Sequence, residues 1–340
     1  MPFEVTRRRL LALVPLLSGR RVVVAGDFVL DRFVYGHPRR VSREAPVVIL
    51  RFTHEDLLPG GAGNAAANVR SLGGEPSVVG IVGADDDGRA LRRALSERGI
   101  DDRGLAEEDG YRTPAKTRIL GGAPSGNKQQ IVRYDVETDP AAPASAGRAI
   151  ERAAEAARGA AGAMLSDYGY GAIGPEAVGA VRRALPAGAP ISVDSRHRLR
   201  HYAGVDAATP NEEELEEIAG ARLESDTALD RAAAALRSEM GCASLLVTRG
   251  SRGMALYSGE RDGAPRRIPV HGGDQVADVT GAGDTVLAAF SLALAAGASP
   301  LEAALLADFA GGIAVMKMGT AVVTREELMT AIDGDRVLLS

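Results

Sequence analysis

The stretch Asp278-Val279-Thr280-Gly281-Ala282-Gly283-Asp284, running on into the apolar segment 285–295, is where the reading of this chain begins. Glycines at 281 and 283 let the backbone turn tightly and come close to a ligand. The N–H groups at the start of the following helix lack partners within it, and the helix dipole favours negative charge there. Gly281, Ala282 and Gly283 therefore make a candidate anion site. A carboxylate at that same end would repel a phosphate rather than bind it. Asp284 is instead placed to take a proton from an attacking hydroxyl while the amides hold a transferring phosphoryl group. The plainer alternative is an ordinary loop closed by a capping aspartate.

Outward from this stretch, short β-branched runs at 21–25, 77–81, 162–166, 191–194 and 245–248 alternate with helical patterns at 62–72, 88–98, 144–158, 175–185 and 226–238. Such alternation predicts βαβ units, hence an α/β fold with a mostly parallel sheet covered by helices on both faces. Two segments break the rhythm. Residues 47–52 and 115–135 are strand-like without an intervening helix, and 121–127 reads as a loop between strands. They predict a small β-lid, built from roughly 32–57 and 111–135, inserted in one domain spanning 1–340.

The bulk composition excludes several classes. With 340 residues, 45% of them hydrophobic and 25% charged, the chain can bury a sizeable core, and a net charge of −5 argues against a nucleic-acid binder. No apolar stretch has the length of a membrane span. Arg7-Arg8-Arg9 precedes a leucine-rich segment broken by Pro15, which predicts an amphipathic first helix rather than a signal peptide. The single cysteine, Cys242, sits in an apolar run and reads as a core thiol, so a reducing, cytoplasmic location is expected. His197 and His201 stand four apart, but the residues between them supply no glutamate of the His-Glu-x-x-His kind, and no zinc site is expected.

The Asp278–Asp284 stretch resembles the C-terminal motif of the ribokinase-like (PfkB) carbohydrate kinases. The N-terminal half of that family's pattern is present as Pro59-Gly60-Gly61-Ala62-Gly63-Asn64-Ala65-Ala66-Ala67-Asn68, more than 200 residues upstream. The resemblance implies a three-layer α/β/α fold, a β-sheet lid, and an ATP-dependent kinase acting on a sugar hydroxyl, with ATP and Mg²⁺ as cofactors and K⁺ left open. It implies that Asp27 and Asp31, together with Gly60, Gly61 and Asn64, bind the sugar. Thr209-Pro210-Asn211-Glu212-Glu213-Glu214 resembles the family's Asn-x-x-Glu element, in which Glu214 would meet the metal through water. The implied nucleotide set is Asp194, Arg196, Asn211, Thr248, Gly250, Gly253 and Asp278.

One branch is nearer than the rest. Gly26-Asp27-Phe28-Val29-Leu30-Asp31-Arg32-Phe33, Arg40-Val41-Ser42-Arg43-Glu44-Ala45-Pro46-Val47 and Ser166-Asp167-Tyr168-Gly169-Tyr170-Gly171 resemble the kinase domain of bacterial heptose-phosphate kinases. That resemblance implies phosphorylation of the anomeric hydroxyl of D-glycero-D-manno-heptose 7-phosphate in ADP-heptose synthesis, without the cytidylyltransferase-like domain some members carry. Tyr170 and Arg196 stand where members usually have lysine, which keeps another sugar or phosphosugar open. Lys116, Arg118 and Arg133 on the expected lid are candidates for a sugar phosphate. A sugar-binding regulator without catalysis is the reading from a different class. Exposed lid strands would be an edge liability, so a homodimer through the lid is expected.

Overall fold

The computed structural model describes residues 5–122, 128–259, 264–272 and 277–335, so most of the expected 121–127 loop lies outside the described residues. The chain runs through β1 (Arg21–Gly26), β2 (Phe28–Val41), β3 (Val48–Gly61), β4 (Glu75–Gly83), β5 (Leu105–Glu108), β6 (Ala115–Gly121) and β7 (Gln129–Val136). It continues through β8 (Gly162–Asp167), β9 (Ile191–Ser195), β10 (Ala207–Ala208), β11 (Ser244–Thr248), β12 (Met254–Ser258) and β13 (Arg266–Ile268). A nine-stranded sheet has the order β13-β12-β11-β10-β9-β8-β1-β4-β5. Its strands from β11 to β5 pair in parallel, and the β12–β13 hairpin adds antiparallel strands at one edge. A separate four-stranded sheet has the order β3-β2-β6-β7.

Alternation of side chains along each strand divides the core in two. Val22 and Val24 of β1 face a cluster with α1 (Arg7–Leu13), α2 (Ala62–Ser71) and α3 (Asp86–Ser96). Val23 and Ala25 face the other cluster, with α4 (Pro143–Ala157), α5 (Ala177–Ala184), α6 (Glu212–Ala219) and α7 (Asp226–Met240). The first cluster also takes α8 (Ala282–Ala295), α9 (Pro300–Val315) and α10 (Arg325–Gly334). Burial on both faces is why β1 reads as an unbroken apolar run. Helix ends follow local chemistry. Ser225 caps α7, Gly241 closes it in the left-handed conformation, and Ser299 with Glu302 forms a capping box on α9.

The strands expected at 21–25, 77–81, 162–166, 191–194 and 245–248 correspond to β1, β4, β8, β9 and β11. The segment expected at 47–52 is far longer, because β2 and β3 pair along a hairpin whose residues are largely exposed beyond Tyr35. At its root, β2 leaves β1 after a single residue, Asp27, and Phe28 pairs with Gly61. The Asp27 carbonyl accepts the Ala62 N–H (3.0 Å), so both strands of the hairpin are tied to one point.

Gly26 shows how closely β1 meets β8: a Cβ there would lie 2.0 Å from the Ser166 carbonyl oxygen. Gly26→Ala should therefore push the two central strands apart and destabilise the fold by about 2–3 kcal/mol. Thermal unfolding followed by circular dichroism checks this, with an unchanged midpoint as the contrary result.

Candidate active site

The residues singled out from sequence gather along the C-terminal edge of the parallel strands, where ligands bind in open α/β sheets. Asp284 lies in the first turn of α8, which is capped by Gly281 in the left-handed conformation (φ 75°). The Asp284 carboxylate is 3% exposed. Its Oδ1 accepts from the Tyr168 hydroxyl (2.8 Å) and its Oδ2 from Asn64 Nδ2 (3.1 Å). Burial raises its pKa to about 6, while these two hydrogen bonds oppose the rise. Asp31 adds to the rise and Lys116 offsets it.

Tyr168, not singled out from the sequence, is the centre of this arrangement. Its hydroxyl holds Asp284, its amide donates to Asp27 Oδ2 (2.8 Å), and Lys116 Nζ lies 5.0 Å from its ring centroid. It follows β8 directly, at the strand edge where ligands gather. That position is the signal by which the sequence could have disclosed it.

The four-stranded sheet contributes one face. The register opposes Lys116 to Asp31 and Arg118 to Phe33, so all four side chains share a face. Asp31 is buried and ion-paired with Arg118 (2.5 Å). Burial raises its pKa, and the charges of Arg118 and Lys116 oppose that. Gly60 makes room for this carboxylate, since a Cβ there would lie 2.2 Å from Asp31 Oδ2. Lys116 is half-buried, and burial lowers its pKa. Arg133 is exposed on β7, opposite Arg118 in the register, and pairs with Asp135 (3.0 Å).

Several of the residues expected at the site have partners within the protein. Asp27 accepts three backbone N–H groups, from Tyr168 (2.8 Å), Tyr170 (3.0 Å) and Ala172 (3.0 Å). It anchors the loop that carries Tyr168. Asn64 is also committed within the protein, to Gly281, Asp284 and Asn68. Gly61 caps α2 with φ 57°, and a Cβ there would meet the Asp27 carbonyl at 2.6 Å. Asp278 accepts the Thr280 N–H and hydroxyl on Oδ1 and the Gly319 N–H on Oδ2. These bonds shape the approach to α8. The Ala282 amide donates to the Val279 carbonyl (3.2 Å), which leaves Gly283, with open space beside its Cα, as the more accessible end of the turn.

Two cavities are lined by neighbours of Asp284, one by Tyr168 and the other by Gly283. One, of about 330 Å³, is lined by Tyr168, Asp194, Arg196, Asn211 and Glu214 among others. Asn211 and Glu214 form the capping box of α6, using one oxygen of each side chain. Burial raises the pKa of both Asp194 and Glu214, and the charge of Glu214 adds to the rise at Asp194. The other cavity, of about 210 Å³, is apolar and bounded by Thr248, Gly250, Gly253, Val286, Gly283 and Gly311 among others. Gly253 has a packing duty as well: a Cβ there would overlap the Ile268 carbonyl oxygen. The sequence set is thus split between a polar cavity, an apolar cavity and buried anchors.

The pattern of the pfkB family carbohydrate kinases matches residues 20–327. The bifunctional protein HldE of Paramagnetospirillum magneticum is 39% identical over 329 residues, covering 96% of this chain and 66% of that protein. The bifunctional protein HldE of Caulobacter sp. strain K31 is 40% identical over 325 residues, covering 94% of this chain and 64% of that one. The chain thus spans just under two thirds of the length of these curated relatives. Among solved structures, Arabidopsis thaliana ribokinase complexed with ribose and ATP aligns with a TM-score of 0.69 and 22% identity, over 93% of this chain and 100% of that one. The tetrameric inhibited form of phosphofructokinase-2 from Escherichia coli gives a TM-score of 0.75 at 20% identity, over 93% and 98%. The fold is the ribokinase-like three-layer arrangement expected from the sequence.

Burial of Asp284 has a consequence for stability. A carboxylate whose pKa moves from 3.8 up to about 6 on folding binds more protons in the folded state across that window. Stability therefore falls as pH rises through it, by about 2–3 kcal/mol in all. Asp284→Asn removes this penalty, so its thermal midpoint should exceed the wild-type value at pH 7.5 and converge with it below about pH 4. Scanning calorimetry across that range checks the sign; a variant less stable at pH 7.5 overturns it.

Proposed function

The chain belongs to the pfkB family of carbohydrate kinases, and we propose that it transfers the γ-phosphoryl group of ATP to the anomeric hydroxyl of D-glycero-D-manno-heptose 7-phosphate. The observation that carries this reading is a buried carboxylate held by two neutral donors at a helix N-terminus, with Tyr168 lining a polar cavity and Gly283 an apolar one. With a pKa of about 6, Asp284 is roughly nine-tenths ionised at pH 7, yet basic enough to accept a proton. In the proposed step the sugar hydroxyl gives its proton to Asp284 as its oxygen bonds to the γ-phosphorus. The bond to the β-phosphate oxygen breaks and ADP leaves. The Gly283 amide, with the dipole of α8 behind it, offsets charge on the transferring group.

The sugar would lie between Asp31, Lys116, Tyr168 and Asp284. The nucleobase would occupy the apolar cavity beside Thr248 and Gly250. Among the described residues no three His, Cys, Asp or Glu side chains converge to hold a metal directly. The carboxylates of Glu214 and Asp194 suit Mg²⁺ that arrives with the nucleotide and keeps much of its water. The ion would supply charge neutralisation on the phosphates. The 7-phosphate finds cations in Lys116, Arg133 and Arg196. Tyr170 supports a second reading, another sugar or phosphosugar, because its half-buried phenol brings no charge to a phosphate.

Among the described residues no helix is long and apolar enough to cross a membrane, in keeping with a cytoplasmic enzyme. We take the four-stranded sheet to be a lid and the contact surface of a homodimer. Val41, Val48, Phe52, Ile131, Val132 and Tyr134 leave apolar area exposed on it.

Two measurements test this reading. ADP release with Mg-ATP is expected with the heptose 7-phosphate and not with ribose, fructose or fructose 6-phosphate. Turnover on another sugar alone keeps the kinase and removes the heptose. In the same assay Asp284→Asn should lose about 10²–10⁴-fold in turnover while still binding nucleotide. For the assembly, Phe52→Asp with Tyr134→Asp should sediment as a monomer; an unchanged dimer places the interface elsewhere.

A further inference from the structure

Asn64 presents an N–H to Asp284 because other groups deny it any other orientation. A side-chain amide has one oxygen that only accepts and one nitrogen that only donates, so its direction is set by partners whose own roles are fixed. At the far end of the chain of contacts, the Val323 backbone N–H can only donate, and it meets Asn68 Oδ1 (3.1 Å). Asn68 Nδ2 meets the Asn64 carbonyl oxygen (3.1 Å), which can only accept. Asn68 is therefore pinned at both ends. Its nitrogen also donates to Asn64 Oδ1 (3.2 Å), and Asn64 Nδ2 donates to the Gly281 carbonyl (3.1 Å), again an acceptor alone. One orientation of both amides satisfies every contact, and it places Asn64 Nδ2 against Asp284 Oδ2 (3.1 Å).

Asn64 and Asn68 are 1% and 0% exposed, so water does not stand in for a lost partner. Their spacing of four puts them on one side of α2. We propose that Asn68 is a positioning residue, which touches neither substrate nor base but carries the polarity of the Val323 backbone through Asn64 to Asp284. If Asn64 turned over, its oxygen would face the carboxylate and the Gly281 carbonyl at once, three acceptors together. The role in turnover rests on Asp284 being the base; the electrostatic claim does not.

The other groups around Asp284 are Tyr168 after β8, Asp31 on β2, Lys116 on β6 and Asp194 at the end of β9. None of them touches Asn68 through a hydrogen bond. The test is a carbon-13 NMR titration of protein labelled at the aspartate carboxyls, with Asp284→Asn identifying the resonance. In Asn68→Ala the midpoint of Asp284 should rise by about one unit, a tenfold change in its proton equilibrium. The acid limb of kcat should move with it, and KM for ATP should stay. On an Asn64→Ala background the Asn68→Ala substitution should add no further shift, whereas Tyr168→Phe should add one on either background. A folded Asn68→Ala protein with an unmoved Asp284 midpoint overturns the proposal. Where that variant yields too little folded protein, Asn68→Leu, close in volume and without donor or acceptor, gives the same reading. A wild-type protein silent on every sugar would count against the kinase substrate and leave the titration to decide the relay.

Discussion

The burial of one carboxylate organises this molecule. Removing Asp284 from water is costly, and a cation beside it would relieve the cost but leave a weak base. The structure holds it with a phenol and an amide, neutral donors that stabilise the charge only in part. Three elements must then converge. The first turn of α8 brings the carboxylate, α2 brings the amide, and the residue after β8 brings the phenol. Each is set by the parallel sheet, whose C-terminal edge collects loops that are far apart in the chain.

The layered fold was legible because parallel strands covered on both faces must be apolar along their length, as the run Val22-Val23-Val24-Ala25 is. The hairpin β2–β3 was legible only in part. Its outer half stands away from the core, is rich in arginine, and is interrupted by Gly36 and Pro38, residues that weaken a strand pattern. Pairing there comes from the partner strand and not from local preference.

Site residues were legible by type and position but not by partner. Asp27, Asp31 and Asp284 look alike in sequence, each a carboxylate close to a glycine-bearing or strand-end segment. Only the folded chain separates them. Asp27 is filled by backbone N–H groups, Asp31 by an arginine, and Asp284 by two neutral side chains. Tyr168 escaped notice for the complementary reason. The stretch 166–171 carries the resemblance without marking which residue acts, and the role of Tyr168 depends on the reach of its ring across to α8.

The attachment of the four-stranded sheet has a mechanical side. β2 and β3 both spring from Asp27, whose carbonyl holds α2 and whose carboxylate holds the loop of Tyr168. That residue stands where a fulcrum would. The 14 residues of β2 form an arm of about 46 Å at ~3.3 Å each. A turn of roughly ten degrees about the fulcrum would sweep the tip through about 8 Å on that length, yet shift Asp31, four residues out, by only about 2 Å. With such a turn the same arm would move widely at its end and finely at its root, and both distances are counted from the residue whose carboxylate holds the loop of Tyr168.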